Sequence, residues 1–183
     1  MFSAEFGNWQ DLRETNAHGF QSSAGRIQYP AAWCHGAPGI GLSRLFLPGQ
    51  GEDEQTRAEV DVAVKTTLSQ AFGQNHSLCH GDLGSLELVL EAAEVLNKPL
   101  LAGRARQIAS DVLQGITDHG WLCGVPMRVE TPGLMVGLAG IGYGLMRAAE
   151  PRRFPSILML EPPGRIQERR PENPNLCNVA AGR

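Results

Sequence analysis

Apolar positions along this chain recur every three or four residues over several long stretches and almost never every second residue. In EDEQTRAEVDVAVKTTLSQAF, residues 52–72, Val60, Val64, Leu68 and Ala71 form one stripe, and acidic residues crowd the first turn. That pattern predicts an amphipathic helix whose N-terminal partial positive charge is matched by carboxylates. LLAGRARQIASDVLQ, residues 100–114, repeats the design with Leu101, Ala105, Ile108 and Val112. β-Branched residues nowhere form a convincing alternation, so strands are not expected to build the core.

Three further helical stretches each open on glycine. CHGAPGIGLSRLFL carries Gly36, Gly39 and Gly41, CHGDLGSLELVLEAA carries Gly81 and Gly84, and VGLAGIGYGLMRAA carries Gly137, Gly140 and Gly142. Aligned on the first glycine, a second always follows three residues later, and apolar residues continue at helical spacing. The offsets between segments are 45 and 56 residues, the mark of a repeated supersecondary unit. Glycine costs about 1 kcal/mol against alanine inside a helix, so several in one first turn need compensation. They permit close approach of helix ends and leave backbone bare beside a central cavity. At Gly137, Gly140 and Gly142 tight packing alone is a sufficient reason. The expected fold is all-α, with glycine-headed inner helices alternating with amphipathic outer ones as a stack of helical hairpins.

With 183 residues, the chain is long enough for one domain with its own core, and 42% apolar against 19% charged residues suits a globular protein. A net charge of −3 with only scattered basic residues gives no expectation of nucleic-acid binding. No apolar run approaches the roughly 18 residues of a membrane span, so none is expected. The polar, acidic N-terminus MFSAEFGNWQDLRE lacks the features of a secretory or transit signal, which leads to an expected cytoplasmic location. In that setting four cysteines are metal ligands, catalytic groups or buried thiols before they are disulfides. Residues 164–183, GRIQERRPENPNLCNVAAGR, are polar and proline-punctuated, and are expected to form a disordered tail in which Cys177 is a free surface thiol.

Two cysteines share one tripeptide, Cys-His-Gly, at Cys34 and at Cys79. Zinc sites are built from cysteine thiolate and histidine imidazole, and catalytic ones keep three protein ligands and an open fourth position. Cys34, Cys79 and His80 would make such a set, the following glycine allowing the bend that turns two adjacent side chains to one ion. Two buried thiols without metal explain the same residues from spacing alone. His35 is either a fourth, closing ligand or turns away into a helix-end hydrogen bond. Cys123 reads as a packed thiol, and His18, His76 and His119 as polar loop residues.

Taken together, NWQDLR, WCHGAPGIGLSRL, LCHGDLGSLELVLEAA, GVPMRVETPGLMVGLAGIGYGLMRAAEP and PSILMLEPP resemble, in content and order, the lanthionine synthetase C-like cyclases. The resemblance is to the C-terminal cyclase domain of type 2 (LanM) lanthipeptide synthetases, and it assigns residues 1–163 to the C-terminal part of that domain. It implies an α/α toroid, here an incomplete one of about three hairpins. It implies a zinc ion held by Cys34, Cys79 and His80. The implied chemistry is Michael-type addition of a precursor-peptide cysteine to dehydroalanine or dehydrobutyrine, which closes a lanthionine or methyllanthionine ring.

That chemistry suits the donors. A free thiol has a pKa of about 8.5 and only the thiolate is nucleophilic, so a metal that deprotonates the incoming sulfur supplies the activation. Addition leaves an enolate that needs a general acid. In the family the Ala-His-Gly segment and acidic residue that serve acid–base roles lie upstream of this chain's start. NAHGF at residues 16–20 sits too close to Cys34 for His18 to take that role. Stand-alone cyclases have an arginine shortly before the first zinc cysteine; Pro30 stands there, and Arg26 is a poor substitute. The implied partners are a dehydrated precursor peptide and the missing N-terminal part of the synthetase. A truncated, catalytically silent zinc-binding remnant that at most binds peptide is the alternative, and a small-thiol substrate such as glutathione is a third reading.

Overall fold

The structure, a computed structural model, describes residues 1–12, 28–46 and 54–162. His18, Arg26, Cys177 and the expected tail at 164–183 lie outside the described residues.

Five helices dominate the described residues. The helical stripe expected over 52–72 forms α2, Glu54–Gln70, and the stripe expected over 100–114 forms α4, Pro99–His119. The second runs on because Ile116 extends the buried row Leu101, Ala105, Ile108, Val112, and it stops where Gly120 takes a positive φ of 81°. The three glycine-headed segments form α1, Ala37–Phe46, α3, Asp82–Val95, and α5, Leu138–Ala149. Among the described residues, strand is confined to a small antiparallel hairpin, β1 Phe2–Ser3 with β2 Asn8–Trp9, too short for alternation to reveal it.

α3 packs against both α1 and α5, so the glycine-headed helices make one inner row with α3 at its centre. The amphipathic helices lie outside, α2 against α1 and α3, and α4 against α3 and α5. This is the all-α hairpin arrangement of a toroid, without closure into a barrel among the described residues. α3 is buried nearly all round: Leu83, Leu86, Leu88, Val89 and Ala92 are each at most 2% exposed. Burial all round explains why its apolar residues are not confined to one stripe, although Glu87 and Glu91 are buried among them. No described helix is long and apolar enough to cross a membrane.

The repeat seen in the sequence is a repeat of backbone geometry. A Cβ on Gly39, Gly84 or Gly140 would collide with the carbonyl oxygen of Trp33, Leu78 or Leu134, in each case six residues earlier. The loop before each inner helix therefore folds back over that helix's first turn, which only glycine permits. The three loops also line up edge to edge. The Cys34 amide donates to the Cys79 carbonyl at 3.2 Å, and the Cys79 amide donates to the Met135 carbonyl at 2.8 Å. All three residues stand two positions before the first glycine of their repeat.

Buried charge ties the inner row together at its far end. The Arg147 guanidinium of α5 bonds Glu87 and Glu91 of α3, and also the carbonyls of Pro151 and Phe154. All three side chains are at most 6% exposed. Breaking one partner of such a buried set costs about 3–5 kcal/mol because the others stay buried. Past α5, the Glu161 carboxylate accepts from the Ser156 amide at 2.7 Å and fixes the turn at Ile157–Met159.

Candidate metal centre

The loop that carries Cys34 is held at both ends by a single side chain. Asn8, on β2 and fully buried, donates to the carbonyls of Tyr29 and Pro30 and accepts from the Ala37 amide at the head of α1. An amide side chain that satisfies an orphan helix N–H while bonding two carbonyls makes a compact clamp. Gly36 completes the loop with φ +91°, a conformation that favours glycine.

The loop that carries Cys79 and His80 closes on itself in a different way. The Asn75 side chain accepts from the Ser77 amide at 3.0 Å and donates to the His80 carbonyl at 3.3 Å. Its own carbonyl accepts from the Asp82 amide at 2.7 Å. The Asp82 carboxylate in turn accepts from the Gly73 amide. Burial raises the Asp82 pKa, against the opposing pull of hydrogen bonds from the Gly73 and Gln74 amides. Residues 78–80 form a turn immediately before α3, which lets neighbouring side chains face the same way.

These two loops bring together three of the four cysteines and histidines of the repeated tripeptide, the set that the sequence proposed. One ligand atom each from Cys34, Cys79 and His80 lies within 4.8 Å of the other two. Cys34 and His80 are exposed and Cys79 is half-buried, so the group opens to solvent on one side. Ligand atoms in a tetrahedral zinc site stand roughly 3.5–3.8 Å apart, given bond lengths of about 2.1–2.3 Å. Contraction by about an ångström, within reach of side-chain rotation, would bring this donor set to that geometry. Two thiols and an imidazole are also the donor types that borderline-soft cations select.

His35 is outside the group. Its Nδ1 lies 3.3 Å from the Asp11 carboxylate, so it turns away from the cysteines as one reading held, but toward a carboxylate and not a helix end. Cys123 is fully buried, as a packed thiol should be. His119 is exposed, but it is the last residue of α4 and not a loop residue, because the helix runs on to Gly120. His76 lies in a loop, as read, but it is buried. It is 4% exposed, its Nδ1 accepts from the Leu122 amide at 3.2 Å, and its pKa is lowered by burial first and by the Arg128 charge second.

Four residues that shape the centre were not singled out as site residues by the sequence, although three of them lie in the quoted motifs: Asn8, Ser77, Gly124 and Arg128. A Cβ built on Gly124 would stand 2.9 Å from His80 Nε2 and 2.5 Å from Ser77 Oγ, so this glycine makes room for the imidazole. Ser77 Oγ is buried with no hydrogen-bond partner among the described residues. The segment around Gly124 is pinned by bonds from the Gly124 amide to the Val136 carbonyl and from the His76 amide to the Leu122 carbonyl. A cleft of ≈ 340 Å³ extends from His80 along this segment to Arg128.

The profile of the family described as "Lanthionine synthetase C-like protein" matches residues 2–159. The chain is also 27% identical over 164 residues to the "Lacticin 481/lactococcin biosynthesis protein LcnDR2" of Lactococcus lactis subsp. lactis. That match covers 82% of this chain and 17% of the relative, so the chain spans about a sixth of the relative's length. The matched region holds both cysteine loops and all five helices, and the chain belongs to the lanthionine synthetase C-like family.

Proposed function

We propose that this chain takes part in lanthipeptide biosynthesis as a zinc-dependent cyclase or the zinc-bearing part of one. Its substrate would be a dehydrated precursor peptide, whose cysteine adds to dehydroalanine or dehydrobutyrine to form lanthionine or methyllanthionine. The observation that carries this reading is the convergence of Cys34, Cys79 and His80 within 4.8 Å, on loops of a lanthionine synthetase C-like fold.

In this proposal the three residues hold the ion and leave its fourth position to the substrate. Zinc, when bound, would keep a cysteine sulfur in the thiolate form at neutral pH. The protein's own part is positional. The Cys34–Cys79 backbone hydrogen bond sets the two thiols side by side, and Gly124 leaves space for His80. Asp11 occupies His35, which leaves three side chains and not four at the centre. The cleft beside His80 offers a volume within the range of ligand pockets, where the alkene-bearing part of the peptide would lie. Reduced thiols at Cys34 and Cys79 suit a reducing compartment, so the proposal places the chain in the cytoplasm. The remainder of a longer synthetase is a proposed partner.

The test is direct. Purified chain should carry one zinc per molecule, and with a dehydrated precursor peptide it should consume the peptide thiol, read by alkylation and mass spectrometry. Cys79→Ala should abolish both. Stoichiometric zinc without thiol consumption would identify a metal-binding remnant instead, and absence of zinc would remove the reading altogether.

A further inference from the structure

The cleft that starts at His80 ends at a cation. Arg128 lines it together with Gln74, Asn75, Gly124 and Val125. Among the described residues no carboxylate is paired with the Arg128 guanidinium, and its charge is felt instead at His76, whose pKa it helps to lower. Arg128 is exposed, whereas the half-buried Arg44 is paired with Glu59 and the buried Arg147 with two glutamates.

The backbone that presents Arg128 is costly. Met127 has φ 62° and Arg128 has φ 57°, two consecutive L-residues in the left-handed region. The Arg128 amide donates to the Val125 carbonyl at 2.9 Å, closing the turn that begins at Pro126. A turn needing only this shape would be served at lower cost by glycine or asparagine. Strain of this kind persists at sites where a side chain must be delivered to one place. Met127 projects to solvent, 91% exposed, so the side chain that the turn delivers into the cleft is Arg128.

We propose that Arg128 binds the carbonyl oxygen conjugated to the peptide's dehydroamino-acid double bond and stabilises the negative charge that collects there. The proposal rests on the cyclase reading above and names the group that receives its electrophile. As the sulfur's electron pair forms the C–S bond at the β-carbon, the alkene pair moves onto the α-carbon and the carbonyl oxygen as an enolate. A proton taken up from water at the α-carbon completes the addition. It balances the proton lost by the attacking thiol, so no oxidant or co-reactant is consumed. A guanidinium at that oxygen acts as an oxyanion donor, and it keeps its charge at any pH the protein survives. Gln74 offers a neutral amide beside it for the same carbonyl-rich backbone.

The experiment uses the zinc-loaded full chain and two variants. Arg128→Asn removes the cation but tolerates the left-handed backbone, and Arg128→Lys keeps a positive charge. The first readout is affinity for a cysteine-free peptide containing dehydroalanine, which can bind but not cyclise. The second is the kcat of ring closure on the dehydrated precursor, with zinc content measured throughout. Arg128→Asn should weaken peptide binding about threefold and lower kcat about tenfold or more, with zinc content unchanged and partial recovery in Arg128→Lys. Equal binding by wild type and Arg128→Asn overturns the proposal, as does a loss of rate that tracks lost zinc. So does a wild type that binds no dehydroalanine peptide. If wild type binds zinc and peptide but closes no ring, the cyclase reading fails. The binding comparison then still decides whether Arg128 receives the carbonyl.

Discussion

His80 owes its place to what Gly124 lacks. Any side chain at position 124 would stand within contact distance of both the imidazole and the buried Ser77 hydroxyl; Ser77 is fully buried and the Gly124 amide is pinned to Val136, so the exposed imidazole is the group that must give way. Gly124→Ala should therefore push His80 away from the two cysteines while leaving the helices in place. Residues that orient a metal ligand without touching the ion typically change affinity by about 10–100-fold, and a loss of that size is expected here. Competition with a chromophoric chelator measures it, with circular dichroism as the check on folding. Wild-type zinc affinity in a folded Gly124→Ala protein would count against the steric role. Cys123, next in the chain, is inert by contrast: it is fully buried and does not join the ligand group.

Among the elements, the N-terminal hairpin has a larger part than its four strand residues suggest. Asn8 brackets residues 30–37, the loop that carries Cys34, by bonding Tyr29 and Pro30 on one side and Ala37 on the other. Asn8→Ala would leave the buried Ala37 amide without its partner, at a cost of about 1–3 kcal/mol, and would free the two carbonyls of the half-buried Tyr29 and Pro30. Thermal unfolding should show a fall in Tm. Zinc affinity should fall with it, because Cys34 then loses its fixed register against Cys79. Asn8→Asp keeps the acceptor for Ala37 and should recover part of the stability. A variant that loses stability but keeps full metal affinity would separate the hairpin from the centre. The inner helices carry a comparable tie in Arg147, Glu87 and Glu91, a cluster that holds α5 on α3 independently of the cysteine loops.

Across the whole molecule, the three inner loops form one backbone ladder from Cys34 through Cys79 to Met135. The third repeat places Met135 and Val136 where the other two place cysteine and histidine, so the ligand set is asymmetric although the scaffold repeats. His76 lies against this ladder, and the stability of the molecule should respond to it. Its pKa is below the ordinary 6.5 in the folded state, chiefly through burial. Above pH 6.5 both folded and unfolded chains carry it neutral and it contributes nothing to the pH dependence. Below that value the unfolded chain takes up the proton first, so folding stability should fall as pH drops from 6.5 toward the lowered folded-state value. Urea unfolding with a chelator present, which keeps metal release out of the comparison, should show this slope. His76→Gln should flatten it. An unchanged slope would mean that other groups govern the acid limb.

Hydrophobic periodicity by itself pointed to an all-α chain, and the doubled Cys-His-Gly marked four side chains to watch, of which the family resemblance implied Cys34, Cys79 and His80 as ligands. Both are local properties: a helical stripe is written within one helix, and the glycines that head the inner helices answer to carbonyls only six residues away. The same locality explains the errors. Helix α4 outran its expected end because Ile116 and Gly120, not the last polar residue, decide where burial stops. The burial of the loop residue His76 had no local signal, because its ring accepts from the amide of Leu122, far along the chain. Only the tertiary structure decided that Asn8 clamps the Cys34 loop, that Gly124 seats His80, that Arg147 meets two glutamates some 60 positions earlier, and that Arg128 faces the cleft. Those pairings join residues with no fixed spacing, through backbone turns and shared volume that no period in the sequence encodes.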